Sequence, residues 1–545
     1  MKNIPEKYYP YLIALVGAIF FLPFLGSVHL FDWDEINFAE SAREMMVTGD
    51  YFRVRVGFLP FWEKPPFFFW LQVGAMKLFG VNEFAARFPN AILGIITLVT
   101  LYVIGKKEKD STFGIIWALL FFASMLPHLY FKSGIIDPVF NYFIFTAIYF
   151  LMKALNDAEK KSRNSAISGA LIGFAIITKG PVGFLLLLLT FIVIIIVGRF
   201  KVWPRIKDVA MFALTTFIVS FMWYGAEVIS NGPWFLVEFI KYQIDLFSNP
   251  VAGHEQPFYY HFVVVFLGCF PMSVLALGSF NKSTTSGNPF AKWMMVLFWV
   301  VMILFTIVTT KIVHYSSMAY LPLSYLAALY ITRLIKEEQA VPKIISWVYL
   351  GVGLIFGLLL TSLPLVIYFI DDIKPYINDP FAVAGLIKPV YWSGFEFSIG
   401  LIFVAAVISS SVQLFKANLF RSISIMSGGT AITLLLYSMF IIPKIEQHTQ
   451  GSLIDFLESV EGEDVYVTTS GFYSYAPFFY FKQPNNNLEK RDNKQWLITG
   501  KIDKSVYVIS KITDTYLPTL TDLVLIKEEG GFRFYKRNAD YGLKK

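Results

Sequence analysis

Residues 8–35 read YYPYLIALVGAIFFLPFLGSVHLFDWDE, a long apolar run followed at once by a cluster of acids. Residues 8–30 contain no Asp, Glu, Lys or Arg, and three carboxylates, Asp32, Asp34 and Glu35, then follow within four positions. A run of roughly 20 apolar residues is long enough to cross a bilayer as a helix. The stretch therefore predicts a membrane span that ends in an acidic loop at the lipid boundary.

The whole chain has the composition of a polytopic membrane protein. Its 545 residues are 56% hydrophobic, 18% aromatic and 16% charged, whereas soluble domains carry about 25% charged residues. The formal net charge of +7 favours basic cytoplasmic loops that meet anionic lipid over nucleic-acid binding. Cys269 is the one cysteine, which excludes an intrachain disulfide and a thiol-based metal site.

Apolar runs of spanning length recur along the sequence and predict a polytopic α-helical membrane protein with about 13 transmembrane helices. They lie near residues 8–30, 84–105, 111–127, 134–152, 165–179, 182–198, 208–229, 258–280, 293–310, 315–332, 342–370, 393–414 and 421–442. Gly180 and Pro181 favour a turn between the fifth and sixth of these runs.

Charged loops set the expected orientation. Four segments are basic or mixed in charge and fall on one side of the membrane if the N-terminus is cytoplasmic: KKEKD (106–110), KALNDAEKKSR (153–163), GRFKVWPRIK (198–207) and RLIKEE (333–338). Because Lys and Arg accumulate in cytoplasmic loops, that side is predicted to be the cytoplasm. The larger outer segments are then the loops 31–83 and 230–257 and the C-terminal tail.

The tail differs in composition from the membrane part. Short β-like runs lie between polar turns, namely VYVTT (465–469), VYVIS (506–510), LVLI (523–526) and FRFYK (532–536), and a helix is predicted at 452–460. About 100 residues suffice for a small domain. The predicted organisation is a membrane domain at 1–442 and an extracytoplasmic, periplasmic α/β domain at 443–545.

The first outer loop holds two segments with candidate site residues. Residues 34–48, DEINFAESAREMMVT, have a helical pattern with Asp34 at the N-terminal end, where the helix dipole favours a carboxylate. One interpretation is that Asp34 only caps this helix. The aromatic stretch FWEKPPFFFWLQ (61–72) suits the membrane–water boundary, where Lys64 could hold a lipid phosphate and Glu63 could accept a proton.

Three more charged residues are embedded in apolar sequence: Asp137 in KSGIIDPVFNYF, Lys179 in AIITKGPVGFLL and Lys311 in TTKIVHYSSMAYLP. Each could be a helix-end residue that reaches the interface. Ionisable groups in or beside spans are costly, however, and usually serve function. On the predicted topology all three lie at the outer boundary with Asp34 and Lys64, which indicates a shared polar cavity.

A series of short motifs runs through residues 30–330 in a fixed order: D-E-x-x-x-A-E-x-A-R-E-M (34–45), G-D (49–50), E-K-P-P (63–66), R-F-P (87–89), D-P (137–138), T-K-G-P (178–181), G-H-E-Q-P-x-Y-Y (253–260) and K-I-V-H-Y (311–315). In this order the motifs resemble those of the GT-C-fold glycosyltransferases that use polyprenyl-phosphate sugars. The likeness is greatest to the lipid A aminoarabinose transferases and their protein O-mannosyltransferase-like relatives.

The resemblance implies roles for particular residues. Asp34 would be the catalytic carboxylate, with Glu35 beside it. The donor phosphate would be bound by Lys64, Asp137, Lys179 and Lys311. The substrate cavity would also include Tyr315, Asn37 and Arg43. Asn37 stands where the aminoarabinose transferases commonly carry arginine, and Ile36 where proline is frequent. A zinc ion would be held by Glu63, His254 and His314, since Glu and His suit that metal.

The expected function is inverting transfer of a sugar from a polyprenyl (undecaprenyl) phosphate donor to a lipid A-like or other envelope acceptor, on the periplasmic face of the bacterial inner membrane. No cofactor is required, because the donor phosphate is already a leaving group, and no nucleic-acid partner is expected. One alternative is a protein O-glycosyltransferase of the same fold. Another is a transporter or flippase for a lipid-linked sugar, although the sequence lacks the repeated halves with paired broken helices that are common in transporters. Embedded acids and lysines make a purely structural receptor the least favoured class.

Overall fold

The computed structural model describes residues 4–157, 159–200, 203–248, 256–484 and 486–539. Most of the described chain is α-helical. The helices of the first half are α1 (Tyr9–Phe21), α2 (Asp34–Thr48), α3 (Phe67–Phe79), α4 (Glu83–Glu108), α5 (Ser111–Phe122), α6 (Met125–Tyr130), α7 (Asp137–Asn156), α8 (Lys161–Lys179), α9 (Val182–Val197), α10 (Ile206–Asn231), α11 (Trp234–Ser248), α12 (Tyr260–Gly268) and α13 (Met272–Ala276).

The second half continues the helical bundle and ends in the tail domain. Its helices are α14 (Lys282–Thr285), α15 (Pro289–Ile307), α16 (Tyr320–Lys336), α17 (Lys343–Tyr368), α18 (Ile370–Ile373), α19 (Pro380–Leu386), α20 (Phe397–Phe415), α21 (Leu419–Phe440), α22 (Ile442–Glu446), α23 (Ser452–Ser459), α24 (Ala476–Phe479), α25 (Leu488–Asp492) and α26 (Lys494–Thr499). The strands are β1 (Arg55–Val56), β2 (Leu59–Pro60), β3 (Tyr466–Ser470), β4 (Val506–Lys511), β5 (Val524–Glu529) and β6 (Phe532–Arg537).

Within the described ranges, eight helical segments are long and apolar enough to cross a membrane. They are α4, α7, α10, α15, the segment Val313–Lys336 that contains α16, α17, α20 and α21. Helices α12 and α13 add a ninth if this pair, bent by 107°, counts as one broken span. The polytopic helical fold is confirmed, but the count of 13 is not: α1, for example, ends at Phe21 where the prediction extended to residue 30.

Small residues let two of the apolar helices approach closely. A Cβ added at Gly169 of α8 would lie only 2.2 Å from the carbonyl oxygen of Phe212 in α10. The Thr215 hydroxyl donates a hydrogen bond to the Ala166 carbonyl at 2.9 Å, and Thr216 donates to the Gly169 carbonyl at 3.0 Å. Glycine contacts and hydroxyl hydrogen bonds of this kind hold helices together in a membrane, where hydrophobicity does not drive association.

The tail forms the small α/β unit that its alternating pattern predicts. Its four strands lie in the order β3-β4-β6-β5, with β3 and β4 parallel and the other two pairs antiparallel. Helix α23 precedes the sheet. These elements begin and end within three residues of the predicted runs, because an alternating pattern between polar turns is a strong local signal for a strand.

The sheet is packed onto the first outer loop. Ile36 of α2 and Phe68 of α3 belong to the same hydrophobic core as Leu457 and Phe534 of the tail. The Arg491 guanidinium also donates to the carbonyl of Gly57, in the β1–β2 turn, at 2.6 Å. The tail and the loop 31–83 thus form one layer, and this layer fixes the start of α2.

Candidate functional site

Asp34 is the first residue of α2, and its side chain faces an open space. The capping residue of α2 is Trp33, and no side chain caps the helix by a hydrogen bond. The Asp34 carboxylate is 42% exposed and lies 4.0 Å from the Nε2 atom of His314. The interpretation of Asp34 as a simple cap is therefore wrong, and its carboxylate is available for other contacts.

His314 lies between two carboxylates that are a hundred residues apart in sequence. Its Nε2 atom is 3.9 Å from Asp137 Oδ2 and 4.0 Å from Asp34 Oδ2. Asp137 is the first residue of α7, and its other oxygen accepts a hydrogen bond from Lys179, the last residue of α8, at 2.7 Å. Adjacent helix ends thus bring together two acids, a histidine and a lysine.

Lys64 joins this group from the E-K-P-P segment. Its ammonium lies 3.9 Å from Glu63 and 5.4 Å from the ring centroid of Tyr242, and its side chain is 15% exposed. Burial lowers the pKa of Lys64 below the ordinary lysine value, and the charge of Lys179 lowers it further. The charges of Glu63, Asp34 and Asp137 oppose this shift in the pKa, so Lys64 is within electrostatic reach of the whole cluster.

A cavity of about 290 Å³ opens beside these groups. Its polar end is formed by Lys64, Asp137, Lys179 and Tyr315, and the Lys179 ammonium lies 5.2 Å from the Tyr315 ring centroid. Most of its remaining wall is apolar, with Phe140, Val182, Leu185, Leu186, Leu304, Phe305, Val308 and Met318. A site with charged groups at one end and an apolar body suits a ligand with an ionic head and a hydrocarbon tail.

Lys311 is close to this cavity but is not one of the side chains that line it. It is buried, and its ammonium donates to the carbonyl of Val308, a cavity residue, at 2.9 Å. Lys311 therefore lies behind the cavity wall, whereas Lys64 and Lys179 line the cavity itself.

Glu35 has a structural environment. Arg87 of α4 donates to its two oxygens at 2.9 and 2.7 Å, and the backbone N–H groups of Phe31 and Gly134 donate at 3.0 and 2.5 Å. Burial alone would raise the pKa of Glu35, but the Arg87 guanidinium outweighs it and holds the pKa below the ordinary carboxyl value. Glu35 thus anchors the start of α2 to α4 through a buried ion pair with Arg87.

Asn37 and Arg43, expected in the substrate cavity, are buried in α2 and are not among the side chains that line it. Arg43 makes two hydrogen bonds to Glu40, at 2.7 and 2.6 Å, and lies 6.0 Å from the ring centroid of Phe58. Asn37 faces into the packed layer, where its side-chain oxygen has no protein hydrogen-bond partner among the described residues.

The structure describes two of the three predicted zinc ligands. Glu63 and His314 lie at the site, while His254 falls outside the described residues. In the described part of the chain, no three His, Cys, Asp or Glu side chains come together as a metal site. The zinc site stays a prediction that depends on His254.

One further histidine was missed by the sequence reasoning. His261 of α12 is fully buried, and neither ring nitrogen has a hydrogen-bond partner among the described residues. The charge of Lys311 and the ring of His314 both act on it electrostatically. Its place one residue after the G-H-E-Q-P-x-Y-Y motif was the available signal.

Large parts of the chain are similar in sequence to known proteins. Residues 63–223 match the family described as dolichyl-phosphate-mannose-protein mannosyltransferase. The undecaprenyl phosphate-alpha-4-amino-4-deoxy-L-arabinose arabinosyl transferase of Pectobacterium carotovorum is 24% identical over 405 residues, which are 70% of each chain. A transferase of the same name from Proteus mirabilis is 27% identical over 387 residues, 69% of this chain and 68% of its own.

The solved structures extend this likeness to the fold of nearly the whole chain. The crystal structure of ArnT from Cupriavidus metallidurans bound to undecaprenyl phosphate aligns with a TM-score of 0.76 and 17% identity, and covers 97% of this chain and 98% of its own. The same protein in the apo state aligns equally well.

Proposed function

We propose that this chain, which is a membrane glycosyltransferase of the GT-C fold class, transfers a sugar from undecaprenyl phosphate to a glycolipid of the lipid A type. The donor is proposed from the names of its relatives and from the form of the cavity. We further propose that the reaction occurs at the periplasmic face of a bacterial inner membrane, with the N-terminus in the cytoplasm. A protein acceptor is the second candidate, because the matching family model is named for protein mannosylation.

The observation that carries the proposal is the pairing of cationic and apolar groups in the cavity. Lys64 and Lys179 stand at its polar end, and the aliphatic and aromatic wall begins directly behind them. A phosphodiester head would lie against the ammonium groups while the first prenyl units contact Phe140 and Leu185. Charge-assisted hydrogen bonds from lysine to phosphate are stronger than those between neutral groups, particularly in a site that excludes water.

The two lysines are not equivalent. Lys179 is already held by Asp137 at 2.7 Å, whereas the nearest acidic oxygen to Lys64 among the described residues, in Glu63, is 3.9 Å away. Lys64 therefore keeps more of its hydrogen-bonding capacity for a ligand. We assign the main contact with the leaving phosphate to Lys64, with Lys179 in support and Lys311 behind the wall.

The reaction breaks the bond between the anomeric carbon and the donor phosphate oxygen, and the electron pair leaves with undecaprenyl phosphate. Lys64 stabilises the charge that develops on this phosphate. The acceptor oxygen forms the new bond from the opposite face, which inverts the anomeric centre. Asp34 orients this oxygen, and takes its proton if the acceptor is a hydroxyl. His314 lies between Asp34 and Asp137, with its Nε2 atom 4.0 and 3.9 Å from the two carboxylates. A zinc ion held by Glu63, His254 and His314 is also proposed, and it would neutralise charge on the phosphate.

Replacing Asp34 by Asn tests the catalytic assignment. The variant keeps the side-chain shape but loses the base, so we expect transfer to fall by at least about 100-fold, the size of a general-base contribution. The assay follows labelled aminoarabinose from undecaprenyl phosphate to lipid A by mass spectrometry, with purified protein in nanodiscs. Asp371→Asn is the matched control, because Asp371 is 85% exposed and forms an ion pair with Lys374, three positions along the chain.

Two results would contradict the proposal. Full activity of Asp34→Asn would remove Asp34 from the reaction. If sealed vesicles containing the wild-type protein moved the lipid-linked sugar across the membrane without forming a glycosidic product, the chain would be a transporter.

A further inference from the structure

Three aromatic side chains meet beside Asp34, at the join between the first outer loop and the tail. We call Trp33, Tyr473 and Tyr475 the aromatic cluster. The Trp33 ring centroid is 5.6 Å from that of Tyr473 and 5.8 Å from that of Tyr475, and the two tyrosines are 5.0 Å apart. All three contacts are edge-to-face, so the rings form a cluster with open faces rather than a closed stack.

The cluster is held firmly by polar contacts of the backbone around it. The carboxylate of Asp32 accepts a hydrogen bond from the N–H of Tyr475 at 3.2 Å and from the side chain of Ser474. The N–H of Asp32 in turn donates to Gln450 at 3.4 Å. Asp32, the residue before Trp33, thus ties the loop to two parts of the tail and gives the rings a fixed position.

The position of the cluster relates it directly to the reaction centre. Trp33 immediately precedes Asp34, the proposed catalytic carboxylate. The charge of Glu63, next to Lys64, acts electrostatically on both tyrosines. The cluster therefore lies along the edge of the site where Asp34 and Glu63 emerge, on the side formed by the tail, while the apolar wall for the donor is formed by other helices.

The exposure of these rings is unusual for their place in the fold. Trp33 is 49% exposed and Tyr473 is 46% exposed. Many exposed aromatic residues of this chain lie on helices of the membrane domain, where lipid covers them. Tyr473 and Tyr475 belong to the tail, between β3 and α24, outside every candidate span. An exposed aromatic patch outside the candidate spans is a candidate interaction surface.

We infer that the aromatic cluster binds a sugar ring of the acceptor and presents the acceptor to Asp34. This inference rests on the proposed glycosyl transfer. A sugar ring has an apolar face of C–H groups and a rim of hydroxyls, and the amphipathic rings of Trp and Tyr match this combination. Two charged groups lie at the edge of the aromatic cluster, where they can contact polar substituents of the sugar. One is the carboxylate of Asp32, and the other is the ammonium of Lys494, 5.7 Å from the Tyr473 ring centroid. The tail thereby gains a function as the acceptor-binding part of the enzyme.

The test separates acceptor binding from donor binding and from folding. Trp33→Ala and Tyr473→Ala are each expected to raise the KM for lipid A about tenfold, the effect of losing one aromatic contact. The kcat and the binding of undecaprenyl phosphate, measured with the unglycosylated lipid as probe, should stay near the wild-type values. Trp33→Phe and Tyr473→Phe keep a ring and should restore most of the acceptor affinity. Tyr376→Ala is the control, because Tyr376 is 84% exposed and lies elsewhere, between α18 and α19.

Each outcome has a separate meaning. If the wild-type protein transfers sugar and both alanine variants keep the KM for lipid A, the inference is wrong and the proposed function stands. If those variants instead lose membrane association or thermal stability without a specific change in KM, the cluster is an interfacial anchor and the inference is again wrong. If the wild-type protein transfers no sugar to lipid A, the proposed function itself fails for this acceptor, and with it this inference.

Discussion

Replacing Lys64 by Ala removes the ammonium group that we place on the donor phosphate. Its side chain is only 15% exposed, and among the described residues its one acidic contact within 4.0 Å is Glu63, at 3.9 Å. The substitution therefore deletes a largely buried cation without breaking a short ion pair. Lys374→Ala is the matched control, because Lys374 is exposed and forms an exposed ion pair with Asp371.

The magnitude follows from the contacts that remain. A hydrogen bond to a charged group contributes about 1.5–3 kcal/mol net, so kcat/KM for the donor should fall about 10- to 150-fold. Lys179 limits the loss because it stays in the cavity, but its hydrogen bond to Asp137 at 2.7 Å prevents full replacement of Lys64. Lys64→Arg keeps the charge with a different shape and should lie between the wild type and Lys64→Ala.

The assay is the initial rate of transfer from undecaprenyl phosphate-linked aminoarabinose to lipid A, at varied donor concentration and fixed acceptor concentration. The pH dependence gives a second reading. Only charged Lys64 binds the phosphate, and burial lowers its pKa below the ordinary value of 10.5. Below this lowered pKa, Lys64 is charged and the wild type should bind the donor with its full affinity. As the pH rises through the lowered pKa, the affinity should decline. In Lys64→Ala this decline should disappear.

Two results would refute the reasoning about Lys64. One is a Lys64→Ala enzyme with kcat/KM within about threefold of the wild type, which is less than 1 kcal/mol of lost transition-state stabilisation. The other is a loss confined to the KM for the acceptor, because that would place Lys64 on the wrong substrate.

Three further predictions concern the supports of the site. Glu35→Gln leaves the buried Arg87 without a carboxylate and should lower the free energy of unfolding by about 3–5 kcal/mol, which is measured as a lower thermal unfolding temperature. Glu461→Gln, at an exposed ion pair with Lys482, is the control and should change the unfolding temperature little. Equal unfolding temperatures for the two variants would contradict the anchoring role of Glu35. Gly169→Ala places a Cβ 2.2 Å from the Phe212 carbonyl and should destabilise the protein by about 1–3 kcal/mol, while Gly428→Ala, with no neighbour within 4 Å, is the control that should remain stable. The zinc content of the purified protein, measured by elemental analysis, should be lower in each of the single variants His254→Ala and His314→Ala than in the wild type. A wild-type protein that contains no zinc would contradict the zinc prediction.

Local patterns of the sequence determined many of the elements. Helix α2 covers residues 34–48 as predicted, because its helical pattern is local and needs no partner. The turn between α8 and α9 lies at Gly180, whose φ of +98° few other residues adopt. The same local signals located the strands of the tail, and the density of apolar runs was enough to predict a polytopic membrane fold.

The chemistry of individual acids was decided by the tertiary structure. Asp34 and Glu35 are adjacent in sequence, and the sequence motifs favour Asp34 as the catalytic carboxylate without showing what either side chain contacts. In the structure, Glu35 forms an ion pair with Arg87, 52 positions away in sequence, and Asp34 lies beside His314, 280 positions away. No local rule contains these pairings, because a helix turns adjacent side chains about 100° apart and their partners arrive from other helices.

Sequence alone therefore determined that this chain is a membrane bundle with a small α/β tail and with charged residues embedded in its apolar sequence. Periodicity and hydropathy are properties of neighbouring residues, and they suffice for that conclusion. Only the tertiary structure decided which charges share a cavity, that α12 and α13 meet at a bend of 107°, and that the tail brings Tyr473 and Tyr475 to Trp33. The shared cavity and the aromatic contacts join segments that are distant in sequence. The packing of the whole chain fixes such contacts.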